Sequence, residues 1–193
     1  MSESKEIIVV SGLPRSGTSL MMQMLALGGI EPLTDEIRTA DTDNPKGYFE
    51  FERVKKIRED KQWLPDARGK AVKMISQLLY DLPATECYRI IFMRRDIDEI
   101  IVSQEKMLQR RGQPVPERDA MKSAFARHLD KLLQWIPAQP FMSLLEVSYH
   151  DLLNARNDAV RPIAAFLPLP LNIDKSLSAI DTSLYRNREA ASS

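Results

Sequence analysis

The sequence has one cysteine, Cys87, and two histidines, His128 and His150. A single thiol cannot close an internal disulfide, so a reducing cytoplasm is the expected setting. Charge of one sign is also missing, since 27 lysines and arginines face 27 aspartates and glutamates. No global field draws such a chain to nucleic acid or to a membrane surface. No apolar run approaches the length that spans a bilayer, and the polar start Met1–Glu6 lacks the apolar segment of a signal peptide. Repeats and low-complexity linkers are absent too. The remaining frame is a chain of 193 residues, expected to fold as one domain over 1–193. At that size about 70% of the unfolded surface is buried.

The informative stretch is Ile7-Ile8-Val9-Val10-Ser11-Gly12-Leu13-Pro14-Arg15-Ser16-Gly17-Thr18-Ser19. Four β-prone apolar residues in a row suit a strand covered on both faces. Gly12 and Gly17 allow a tight loop, and from Ser19 the run Leu20-Met21-Met22 with Met24-Leu25 begins a helix that Gly28-Gly29 stops. A strand feeding a helix in this way points backbone N–H groups and the positive helix end at one spot, where an anion belongs. Arg15 adds a planar cationic fork, and Thr18 and Ser19 add hydroxyls. The alternative is an ordinary strand, turn and helix with a polar surface turn. Met21, Met22 and Met24 are read as core filling.

The glycine spacing is that of a P-loop, but Thr18-Ser19 stand where an ATPase has lysine then serine or threonine. Magnesium-dependent nucleotide enzymes also need a carboxylate at the end of a second strand. Here the best later strand, Tyr88–Met93, runs into Arg94-Arg95. A basic end disfavours a metal, so a P-loop kinase is the lesser reading and no metal site is expected.

Further elements follow from pattern. Residues 31–49 read as a loop, 51–62 as a charged helix and 70–75 as a strand. Asp96 caps a helix whose apolar positions are Ile97, Ile100, Ile101, Met107 and Leu108, with Glu99 forming a capping-box-like pair. Arg110 and Arg111 suit its C-terminal end before Gly112. A long helix over 117–135 stops at Pro137, 141–147 is a fourth strand, and 157–166 is another helix. Strands alternating with helices predict an α/β three-layer sandwich around a parallel sheet of four to five strands, like a P-loop NTPase. In such sheets ligands bind at the carboxyl edge, where Arg95 falls.

The loop Pro14-Arg15-Ser16-Gly17-Thr18-Ser19 resembles the 5′-phosphosulfate loop of sulfotransferases, in the "PRSGT" version of tyrosylprotein and many bacterial members. Arg95 followed eight residues later by Ser103 matches the family's 3′-phosphate pair. Val147-Ser148-Tyr149-His150-Asp151-Leu152-Leu153, with Phe166-Leu167 beyond, is similar to its "YEDLL…FL" segment, His150 standing for the usual glutamate. Ser183–Arg188 looks like the tail of bacterial members.

The resemblance implies sulfuryl transfer from 3′-phosphoadenosine 5′-phosphosulfate (PAPS) to a hydroxyl or amine of a small molecule or peptide, without a metal. It assigns Gly12, Arg15, Ser16, Gly17, Thr18 and Ser19 to the donor's 5′ end and Arg95 and Ser103 to its 3′-phosphate. Arg186 and Arg188 take the place of the "RKG" loop of cytosolic members, which is absent. Arg95 pairing with Asp98 or Glu99 at the surface is the alternative for that residue.

The base is less defined. The cytosolic members' histidine, shortly after a lysine, is missing, since Met74 and Ile75 follow Lys73. Counting from the loop arginine, the glutamate of the tyrosylprotein "EETR" segment falls on Glu36 and its arginine on Arg38. Glu36 is therefore the expected base, unless Asp35-Glu36 is a solvated helix cap. Glu50 and Asp41 follow as candidates. Lys73 either stabilises the bridging oxygen or is a surface lysine. His128 lies among Phe125, Leu129, Leu132 and Leu133 and is expected to be structural, with base chemistry in reserve. A binding module that keeps the pocket without turnover is the remaining alternative.

Overall fold

The computed structural model describes residues 6–35 and 49–180. Its centre is a four-stranded sheet of β1 (Ile7–Gly12), β2 (Ala71–Lys73), β3 (Tyr88–Arg94) and β4 (Met142–Ser148). The spatial order is β2-β1-β3-β4 and every pairing is parallel. All six residues of β1 are buried, which is why its sequence is a continuous apolar run rather than an alternation. Period-two geometry then divides that run between two cores. Ile7 and Val9 join Val72, Ile90 and Phe92 on one face, while Ile8 and Val10 join Ala71, Ile91 and Met93 on the other.

Helices cover both faces, giving the expected three layers. On the second face lie α1 (Thr18–Leu27), α4 (Tyr149–Asn154), α5 (Arg156–Phe166) and α6 (Ile173–Leu177). Met21, Met22 and Met24 are buried there, as core filling requires. The first face packs α2 (Ile97–Arg110) and α3 (Arg118–Trp135) through Ile100, Leu129 and Leu132, together with Trp63 and Leu64.

The segment read as a charged helix over 51–62 is different. It forms a 3₁₀ helix over Glu52–Lys56 and then turns. Its apolar residues Phe51, Val54 and Ile57 recur every third residue and pack into the same core. That period matches three residues per turn, not 3.6. The strand read over 70–75 is shorter, Ala71–Lys73, and α4 and α6 lie in stretches where the pattern gave no helix. Within the loop read over 31–49, Pro32 bridges Ala71 and Leu33 N–H donates to the Ala71 carbonyl (2.8 Å).

Strand order decides where a ligand can sit. From β1 the chain goes to β2 on one side, then crosses to β3 on the other. The switch point therefore lies between β1 and β3, and a crevice opens beyond their carboxyl ends. The register brings Gly12 beside Met93 and Arg94 beside Ser148, so these ends align along one edge.

Candidate anion-binding site

Two segments meet at that crevice, the β1–α1 loop and the start of α2. In the loop, a Cβ on Gly12 would collide with Ser16 Oγ and come within 2.8 Å of the Met93 carbonyl. Gly17 has φ 101°, and a Cβ there would run into the Tyr149 ring. Arg15 adopts a left-handed φ of 67°, unusual for a residue with a side chain and a form of strain found at functional sites.

Helix α1 begins at Gly17 with no side-chain cap and no acidic residue in its first turn. Its N-terminal amides and dipole favour an anion. Ser11 Oγ and Ser16 Oγ are buried without a hydrogen-bond partner, a costly state for a hydroxyl. Ser11 lies within β1, but Ser16, next to the uncapped start of α1, is a buried donor that fits a phosphate- or sulfate-like group.

Across the crevice, Arg95 follows β3 with its side chain 9% exposed. Its Nε donates to Glu99 Oε2 (2.8 Å), its Nη1 donates to the Arg15 carbonyl (3.2 Å), and its guanidinium lies 4.7 Å from the centre of the Tyr149 ring. Arg15 Nε in turn donates to Ser103 Oγ (3.0 Å). The pair Arg95–Glu99 anticipated as the alternative thus exists, but in a buried position tied to the loop. Arg94, Arg95, Asp96, Glu99, Tyr149 and His150 border an open cleft here. Burial pushes the Tyr149 phenol above its usual range, and Arg95 acts against that shift.

On the other side of β1, Lys73 Nζ ends β2 and donates to Ser19 Oγ (3.4 Å), with Glu50 Oε1 at 3.9 Å. At 14% exposure it is not a surface lysine. His128 is engaged as a structural residue would be. Its Nε2 is 2.8 Å from Ser76 Oγ, Tyr80 packs against its ring, and burial lowers its pKa. Asp35 accepts the Glu52 N–H (2.6 Å), tying two segments together.

The carboxyl edge of the sheet therefore brings together Gly12, Arg15, Ser16, Gly17, Thr18, Ser19 and, on the two sides of β1, Lys73 and the pair Arg95 and Ser103. Glu36, Asp41, Arg186 and Arg188 lie outside the described residues. Tyr149 was not singled out as a site residue in the sequence. Its place directly after Ser148, the last residue of β4, was the available signal, because that register position sits at the ligand edge. Among the described residues, no three His, Cys, Asp or Glu side chains form a group that could hold a metal. None of the described helices is long and apolar enough to cross a membrane.

No protein-family model matches the sequence, and no curated protein matches it. Solved structures do. The sulfotransferase domain from the curacin biosynthetic pathway superposes with a TM-score of 0.53 at 14% identity, over 93% of this chain and 79% of that one. The sulfotransferase domain of the Synechococcus PCC 7002 olefin synthase gives 0.53 at 12% identity, over 98% and 82%. The chain has the fold of sulfotransferase domains. Within this sulfotransferase fold, the β1–α1 loop, Arg95 and Lys73 all stand at the carboxyl edge of the sheet.

Proposed function

We propose that this chain is a sulfotransferase that takes its sulfuryl group from PAPS. One observation carries the reading: the two cationic positions are wired to each other. Arg15 bonds Ser103, and Arg95 bonds the Arg15 backbone. A nucleoside carrying acidic groups at both its 5′ and 3′ ends needs two anion sites held at a fixed spacing, and direct hydrogen bonds between them supply that stiffness.

The residues fit the donor. Gly12, Ser16, Gly17, Thr18 and Ser19 form the cradle for the 5′ end, with unpartnered Ser16 Oγ as a ready donor and Arg15 beside it. Arg95 and Ser103 would take the 3′-phosphate, joined by Arg186 and Arg188. PAPS supplies an activated sulfuryl group when bound. Such a group transfers through a loose transition state, so positioning and charge neutralisation dominate. Lys73, held against Ser19, is placed to neutralise charge at the leaving side. The acceptor is a hydroxyl or amine on a small molecule or peptide.

Thermal unfolding with added nucleotide tests the donor. Adenosine 3′,5′-bisphosphate without metal, at a hundred times its Kd, should stabilise by about 2.7 kcal/mol. For a chain of this size that is a rise of roughly 5–10 °C in Tm. Stabilisation by ADP or GDP with Mg²⁺ but not by the bisphosphate would reject the reading in favour of a phosphotransferase.

A further inference from the structure

Resting on the sulfotransferase reading, we propose that Glu50 is the general base that takes the proton of the acceptor. Its backbone is fixed to the edge of the sheet. The segment 32–35 rides on β2 through the Leu33–Ala71 hydrogen bond, and the Glu50 carbonyl accepts from Thr34 Oγ1 (2.9 Å) and from the Asp35 N–H (3.2 Å). Asp35 then holds the Glu52 amide (2.6 Å), so Glu50 and the residue two beyond it are tied to the same segment.

The side chain faces the right chemistry. Oε1 lies 3.9 Å from Lys73 Nζ and Oε2 lies 3.8 Å from Lys55 Nζ, with the side chain 20% exposed. Lys73 itself reaches Ser19 Oγ in the loop. The carboxylate is thus one side chain away from the cradle for the donor's 5′ end, yet still open to an acceptor arriving from solvent. A carboxylate next to an anionic transferring group would normally be repelled, and the two lysines offset that repulsion.

Among the described residues, the two histidines are placed differently. His128 is bonded to Ser76, and His150 stands beside the Arg95 cleft. In the step, the acceptor oxygen or nitrogen forms a bond to sulfur while the bond from sulfur to the 5′-phosphate oxygen breaks. The electron pair of that bond leaves with the phosphate, and the acceptor proton passes to a Glu50 carboxylate oxygen.

The test uses water as the acceptor: sulfate release from ³⁵S-labelled PAPS, with the bisphosphate Kd measured by calorimetry on the same samples. Glu50→Gln should lower release about 10²-fold, the usual scale for a general base, with the Kd within about twofold of wild type. Glu50→Ala should regain rate with added formate, which no merely structural role would produce. Wild-type release from Glu50→Gln, a loss in Glu50→Ala that formate does not rescue, or a wild type that binds bisphosphate but releases no sulfate would each overturn the role of Glu50 and leave the donor reading standing. A wild type that binds no bisphosphate would sink both.

Discussion

Helices α1 and α2 start at the same edge of the sheet and begin in opposite ways. Helix α2 opens on Asp96, whose carboxylate accepts from the Asp98 and Glu99 amides, and two acids follow in its first turn. Helix α1 opens on Gly17, without a side-chain cap or an acid. The protein's own carboxylates satisfy the dipole of α2, whereas the first turn of α1 carries none. What α2 contributes is side chains: Arg95 just before it and Ser103 within it. The loop side offers backbone amides with Arg15 beside them, the α2 side a cation held in place by Glu99, Tyr149 and the Arg15 carbonyl.

Substitutions at the two helix starts should therefore separate. The largest effect is expected from Gly17→Val. Strain at φ 101° costs about 1–3 kcal/mol before the collision with Tyr149 is counted. Thermal unfolding should show a fall of several degrees, with the bisphosphate response lost. A variant with wild-type Tm would mean that the Tyr149 ring does not pack on the loop.

Arg95→Ala removes the cation of the α2 side together with its bond to the Arg15 carbonyl. Charge-assisted hydrogen bonds contribute about 1.5–3 kcal/mol each, so calorimetry should find adenosine 3′,5′-bisphosphate binding weakened roughly 10- to 100-fold. Adenosine 5′-phosphate should be affected much less, and equal losses would remove Arg95 from the 3′-phosphate.

The smallest effects sharpen the contrast most. Asp96→Ala removes a cap and should cost about 1 kcal/mol in urea unfolding. Thr18→Ala at the uncapped start should change stability by less than about 0.5 kcal/mol while weakening the bisphosphate. Matching stability losses in the two variants would show that the helix starts do not differ in how they are satisfied.

Much of this was legible in sequence because it is local. The buried run Ile7–Val10, the glycine spacing and the Asp96 cap each depend on residues a few positions apart. The charged segment after Phe51 reads as an α-helix because mixed lysines and glutamates suit any exposed helix, and it folds as a 3₁₀ turn instead. Only the three-residue interval between Phe51, Val54 and Ile57 signals a 3₁₀ turn. The approach of Tyr149 to Gly17 left no signal in composition or period, since it depends on a neighbour far along the chain.

The sequence by itself determined what chemistry the loop can offer: glycines where the backbone must turn, hydroxyls, and an arginine instead of the ATPase lysine. Tertiary structure decided which side chains meet. In a parallel sheet every neighbour of β1 arrives through a crossover, so its partners come from 71–73 and 88–94. Arg15 and Ser103 lie 88 positions apart, and Lys73 and Ser19 lie 54 apart. Such contacts exist only once the strand order has brought the carboxyl ends of β1, β2 and β3 to one edge.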